Sequence, residues 1–281
     1  MMLMADLHER LKMLAEAGHI HQALELATTL GMTPDFSGLE LSEMSLPGGK
    51  LAGALLRGTD LCRANLRRAD LQGSSLEGAN LQGAFLTRAR LRQACLAEAN
   101  LDEGMLLGAD LQLARLSDAS LRSAELIRAD LEGADLSHAR LLDARLNEAF
   151  LQGARLQHTD LQGANLSGAD LRETDLRTAT LQRAVYDRRT RWPVGFDARR
   201  CGALGPGARL AGANLRGAYL YAVDLSGADL SGADLANAQL IRVRLYGADL
   251  TDAIFRDTDL MGTLYDEQTR WPSDMEPPPS A

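Results

Sequence analysis

A chain of 281 residues with 46% hydrophobic content can bury a long core, and its formal net charge of −8 argues against nonspecific nucleic-acid binding. Cys62, Cys95 and Cys201 show neither metal-ligand spacing nor an even disulfide framework, so a reducing, cytoplasmic setting is expected. No run approaches the length of a membrane span and the N-terminus lacks a signal-peptide pattern, so neither a membrane nor an export role is expected.

Residues 1–34 come first. Leu7, Leu11 and Leu14 recur at helical spacing, as do Ile20, Ala23, Leu24 and Ala27, with Gly18 between the two sets. Gly31 is placed as a C-cap, and Pro34 lies just beyond. The pattern predicts two short helices, or one kinked at Gly18. They read as a cap over the open end of the repeat that follows, with a docking or dimerising element as the other reading.

From Leu41 to Leu181 leucine recurs every fifth residue, 29 times without a miss, with Phe36 one step before and Tyr186 one step after. From Gly49 onward a small side chain stands two residues before each leucine, Ala in 22 of the 27 cases from Ala54 to Ala184, while Leu39 and Met44 occupy that site at the start. The unit is A-(D/N)-L-x-G, as in Ala79-Asn80-Leu81-Gln82-Gly83. A period of five fits neither the helix nor the strand, so no regular element keeps these leucines on one face. A chain that turns a corner every five residues does, and stacked units then share a continuous core.

Over residues 36–186 and 208–266 this pattern resembles the pentapeptide-repeat family. The resemblance implies an all-β solenoid: a right-handed quadrilateral β-helix with about four pentapeptides per coil. The expected organisation is a helical cap at 1–34, a solenoid at 35–186, a loop excursion at 187–207, a second array at 208–266 and a tail at 267–281. The second array is expected to continue the same stack, with a separate short rod as the other arrangement, and residues 273–281 are expected to be disordered.

The phrase Tyr186-Asp187-Arg188-Arg189-Thr190-Arg191-Trp192-Pro193 returns as Tyr265-Asp266-Glu267-Gln268-Thr269-Arg270-Trp271-Pro272. Each copy stands where leucine spacing stops, which suggests a structural termination device; a ligand site is the other reading. With Val194-Gly195-Phe196-Asp197 and Gly205-Pro206-Gly207-Ala208, the phrase resembles pentapeptide proteins common in cyanobacteria.

If residues twenty apart stack, Phe85, Met105, Leu107 and Ile127 share one outward face, beside Arg67, Arg68, Arg88, Arg128 and Arg145. Contiguous exposed apolar groups mark contact surfaces. These residues are expected to be covered by the helices, the excursion or a second copy. The second array offers Tyr221, Ile241 and Met261, with Tyr219 beside them. A column of Glu98, Asp118, His138 and His158 reads as solvated pairs, and no metal site is expected.

No nucleophile–base–orienter set and no phosphate loop is present, so catalytic and cofactor residues are expected to be none. The expected function is a noncatalytic scaffold for a protein partner, with a homodimer as one form. The resemblance also raises a second function. Quinolone-resistance members look like acidic rods that occupy the DNA site of a type II topoisomerase. Asp60, Asp70, Asp110, Asp130, Asp135, Asp160, Asp170 and Asp175 do precede leucines here. Arginine is interspersed with them, however, and the Phe85 face is net positive.

Overall fold

The structure, a computed structural model, describes residues 2–278; the side chains of residues 2–6 and of His8 lie outside that description. It opens with α1 (Met2–Glu16) and α2 (Ile20–Leu30), joined through Gly18 in a left-handed conformation (φ +79°). Gly31 (φ 63°) caps α2 by donating toward the Ala27 and Thr28 carbonyls, the bonding a glycine C-cap provides. Leu11, Ala15, Ile20, Ala23, Leu24 and Ala27 are buried. Phe36, the first residue of the leucine column, has 0% exposure although no coil precedes it. The helices therefore fit a cap.

Beyond Pro34 the chain coils. Parallel bridges join Glu40 to Asp60, Asp60 to Asn80, Asn80 to Asn100 and Asn100 to Ser120, so one turn takes twenty residues, or four pentapeptides. The four-sided expectation holds. One pentapeptide, Leu61 to Asn65, shows why five residues suffice for a side. Leu61 N–H donates to the Asn80 carbonyl at 2.7 Å and Arg63 N–H to that of Gln82 at 2.8 Å. Asn65 N–H reaches back to Met44 at 2.7 Å, and Ala64 N–H closes the corner onto the Leu61 carbonyl at 3.0 Å. The fifth donor, Cys62 N–H, is taken by the Asp60 carboxylate at 3.0 Å. Every backbone donor is thus satisfied, as a buried chain requires. Where Asp or Asn precedes the leucine, its side chain supplies the acceptor that the neighbouring coils do not.

The corner has the bonding of a type II turn, whose third residue needs positive φ. Gly83 (φ 61°) serves there, but so do Arg68 (φ 58°) and Arg88 (φ 57°). Inside the corner the small site is sealed, with Ala64, Ala84, Ala94 and Ala114 at 0% exposure. Where a hydroxyl replaces alanine it is paired: Thr59 donates to the Phe36 carbonyl and Thr159 to that of Leu136, each at 2.8 Å.

Contacts group the chain into two compact units. The first comprises Met1–Ala164, Ala169–Thr180 and Arg191–Val194; the second comprises Asn165–Gly168, Leu181–Thr190 and Gly195–Ala281. Within the second, Val185 bridges Leu204, one residue short of the twenty-residue turn. Ala203-Leu204-Gly205 is therefore already a repeat unit, one step before Leu210, with glycine in the leucine site. A Cβ on Gly205 would lie 2.5 Å from Cζ of Tyr186, because the buried phenol ring fills that space. The Tyr186 hydroxyl donates to the Pro206 carbonyl at 3.0 Å. Leucine spacing alone hides this unit, since its core residue carries no side chain.

The two copies of the repeated phrase make the same bonds. Asp187 accepts from Gly168 N–H at 2.9 Å, and Asp266 from Gly247 N–H at 2.8 Å. Thr190 donates to the Leu166 carbonyl at 3.0 Å, and Thr269 to that of Leu245 at 2.8 Å. Asp170 bridges Arg191 and Asp249 bridges Arg270, each one residue late. Each copy thus inserts one extra residue between core sites while side chains replace the displaced backbone bonds. Trp192 and Trp271, both half-buried, follow in the next leucine site. Trp271 packs edge-on to Tyr265 at 5.2 Å between ring centroids and at 5.8 Å from Phe255.

The expected disordered tail differs over residues 273–278. Met275 N–H donates to the Pro272 carbonyl at 3.2 Å and the Tyr265 hydroxyl to that of Pro278. A bulky aromatic core site gives the departing chain something to lie against. Residues 279–281, where that expectation also falls, lie outside the described residues.

Two outcomes follow. Leu116, fully buried, should cost ~2–5 kcal/mol on truncation to alanine, measured by urea denaturation. Burial pushes the Tyr186 phenol up to about 12, whereas in the unfolded chain it ionises near ~10. The folded state holds that proton more tightly, so its contribution is complete below about pH 10 and is lost as pH rises from ~10 through ~12. Near-ultraviolet titration should show a late tyrosine, and Tyr186→Phe should remove it.

Candidate interaction surface

Outward side chains stack in columns because every coil repeats the same backbone. On the side carrying Leu66, Leu86, Leu106 and Leu126, bridges run from Asn65 through Phe85, Met105 and Glu125 to Arg145. Phe85 is half-buried, with the Arg67 guanidinium carbon 4.3 Å from its ring centroid. Met105 is 39% exposed, Leu107 is 42% exposed and Ile127 is half-buried. The structure brings the four together as expected. It corrects the expectation of cover from within the chain, because Met105 and Leu107 stay exposed among the described residues. The apolar stripe of α2 (Ile20, Ala23, Leu24 and Ala27) is itself buried. The rest of α2 passes beside Pro47–Lys50, short of these residues.

Charge is uneven along this side. Toward its far end Arg145 pairs with Glu125 at 2.8 Å and Arg128 with Glu148 at 2.7 Å. Arg67, Arg68 and Arg88 make no ion pair among the described residues.

In the second unit, Tyr221, Ile241 and Met261 share a column, with Tyr219 beside it. Tyr219 and Met261 are 66% and 65% exposed, while Ile241 is half-buried. The Tyr219 and Tyr221 rings stack at 6.4 Å, and Arg242 donates to the Tyr221 hydroxyl at 3.1 Å. Tyr186, Trp192, Tyr265 and Trp271 belong instead to core sites, so they shape the coil.

Sequence reasoning passed over Phe150, which is 52% exposed between Asp130 and Asp170 in the bridge ladder. Its signal was available: an apolar residue directly before a repeat leucine. The His138 and His158 rings stack at 4.9 Å. Among the described residues no group of three or more His, Cys, Asp or Glu converges on a metal position.

Pentapeptide repeats match the chain in eight copies, spread over residues 48–185 and 207–264. The chain belongs to the pentapeptide repeat family. Within that family it is similar to HetL, a pentapeptide repeat protein involved in heterocyst differentiation regulation from the cyanobacterium Nostoc sp. strain PCC 7120. The two are 30% identical over 87% of this chain and 96% of that one, with a TM-score of 0.29. A second pentapeptide repeat protein from Nostoc is 38% identical over 41% of this chain and 82% of that chain, with a TM-score of 0.20. QnrB1, a plasmid-mediated fluoroquinolone resistance protein, is 17% identical over 79% of this chain and 92% of that one, with a TM-score of 0.25. No curated protein matches. No helix among the described residues is long and apolar enough to cross a membrane.

If the exposed pair is a surface rather than core, Met105→Ser and Leu107→Ser should each shift stability by only about 0.5 kcal/mol. Leu106→Ala, between them and fully buried, should cost ~2–5 kcal/mol. Thermal and urea unfolding of the three variants check this.

Proposed function

We propose that this pentapeptide repeat protein is a noncatalytic scaffold that binds a protein through the Phe85–Met105–Leu107–Ile127 side of its coil. The right-handed sense of winding and a lid role for α1 and α2 belong to the same reading, as does a cytoplasmic setting. One observation carries it: Met105 and Leu107 are adjacent, apolar and uncovered on a coil whose interior is already closed. Leaving them in water costs free energy that a partner would recover. The Tyr219–Tyr221–Ile241–Met261 side is a second candidate contact.

Hydrogen bonding counts against duplex mimicry. Asp60, Asp70, Asp110 and Asp130 each accept a backbone N–H two residues on, and so do Asp135, Asp160, Asp170 and Asp175. Asp70, Asp135, Asp170 and Asp175 also face arginines. Carboxylates committed to the coil, half of them also paired with arginine, interrupt any sustained negative stripe.

The test is a photo-crosslinking amino acid placed at Leu107 and, as a control, at Gln152 in the host cell. A discrete protein adduct at Leu107 and none at Gln152 supports the reading. Adduct-free protein at Leu107 in every growth state overturns it. An adduct with a topoisomerase subunit would restore the mimic.

A further inference from the structure

Leu107, two residues after the exposed Met105, lines a groove of about 620 Å³ together with Pro47, Gly48, Thr87 and the arginines Arg67, Arg68 and Arg88. No Asp or Glu occurs at residues 45–48, 65–68, 85–88 or 105–108, which form this end of the side. None of the three arginines meets a carboxylate among the described residues. Some arginines elsewhere on the coil reach one, as Arg90, Arg128, Arg145, Arg155 and Arg172 do, and others, such as Arg63 and Arg140, do not among the described residues; what sets this end apart is that three lie together where no Asp or Glu stands. In a chain of net charge −8, three unmatched positive charges beside exposed apolar groups are a local reversal that the coil does not require. Gly48 and Gly108 occupy the same corner in the neighbouring coils, so glycine serves there equally well.

Resting on the surface reading above, we propose that this groove binds an acidic peptide segment with an apolar anchor. Its carboxylates lie against Arg67, Arg68 and Arg88, and its anchor lies on Met105 and Leu107. Guanidinium forks match carboxylates in two-point contacts. Arg68 and Arg88 occupy the same corner of successive coils, separated by the ~4.8 Å strand spacing, so one segment engages both. Arg67 already lies over the Phe85 ring, which limits its freedom before a ligand arrives. An apolar floor offers nothing to a free inorganic anion, and this favours a ligand with both kinds of group.

The experiment selects random linear peptides from a display library on the full-length chain and measures the labelled winners by fluorescence anisotropy. Selected peptides should carry clustered aspartate or glutamate next to leucine, phenylalanine or methionine. Affinity should fall by about tenfold or more in Arg67→Glu/Arg68→Glu/Arg88→Glu, and should weaken with added salt. The milder Arg67→Gln/Arg68→Gln/Arg88→Gln should fall between, and Met105→Ser/Leu107→Ser should also lose affinity. Circular dichroism melts establish that each variant is folded, and the glutamine triple replaces the glutamate one if that variant unfolds.

Neutral or basic winners that still depend on Met105 and Leu107 overturn the acidic ligand and leave the surface reading standing. Winners indifferent to both sets of changes overturn both. Arginine-dependent binding to phosphatidylserine vesicles without peptide binding overturns the proposal in favour of a membrane. A dimer in light scattering that the arginine reversal dissolves overturns it in favour of a second copy.

Discussion

Each side of the coil holds five residues and therefore five backbone donors, and the geometry of the turn leaves one without a backbone acceptor. Four N–H groups find carbonyls in the adjacent coils or across the corner; the one after the leucine does not. A side-chain oxygen three bonds from the backbone, on the residue before the leucine, is the right length to reach it. That is why Asp or Asn precedes leucine so often, and why Asp60, Asn80 and Asp224 serve alike. Charge is incidental to this job, since the neutral amide does it as well as the carboxylate.

The same accounting explains how the coil tolerates interruption. An extra residue inside a stacked ladder leaves orphan donors and acceptors, whose desolvation is costly. In both copies of the repeated phrase an aspartate and a threonine take the displaced bonds, and a tryptophan takes the leucine site. The Tyr186–Gly205 pair solves a related problem by volume exchange: a large ring in one core site is accommodated by the absence of a side chain in the other. Both devices hold core positions, and for that reason they are poor candidates for ligand sites.

Because leucine and alanine satisfy the interior, the outward positions are free to vary. Most carry polar groups that bond along their columns, as Asn100 does to Asn80 and Asn80 to Asp60. The exceptions are where function is to be sought. Met105 and Leu107 meet water, and three arginines cluster beside them where no Asp or Glu stands. A repeat scaffold of this kind is specified from inside and read from outside.

Leucine every fifth residue, small residues two before, and glycine at the corners made the coil and its core legible without coordinates, and helical spacing did the same for α1 and α2. Those features are local and repeat, so each is stated many times over. The outward column was legible too, since stacking by twenty follows once four sides are assumed. What the sequence could not supply was exposure: whether Met105 and Leu107 are covered depends on where α2 lies, and no periodicity encodes that. It also hid the unit at Ala203–Gly207, because a missing side chain leaves no mark in a pattern of leucines. The pairing of arginines was decided by the fold as well, since ion pairs across a coil join residues far apart in the chain. Identity fixed the interior because the interior is periodic; the surface is a set of non-local neighbours, and only folding brings those together.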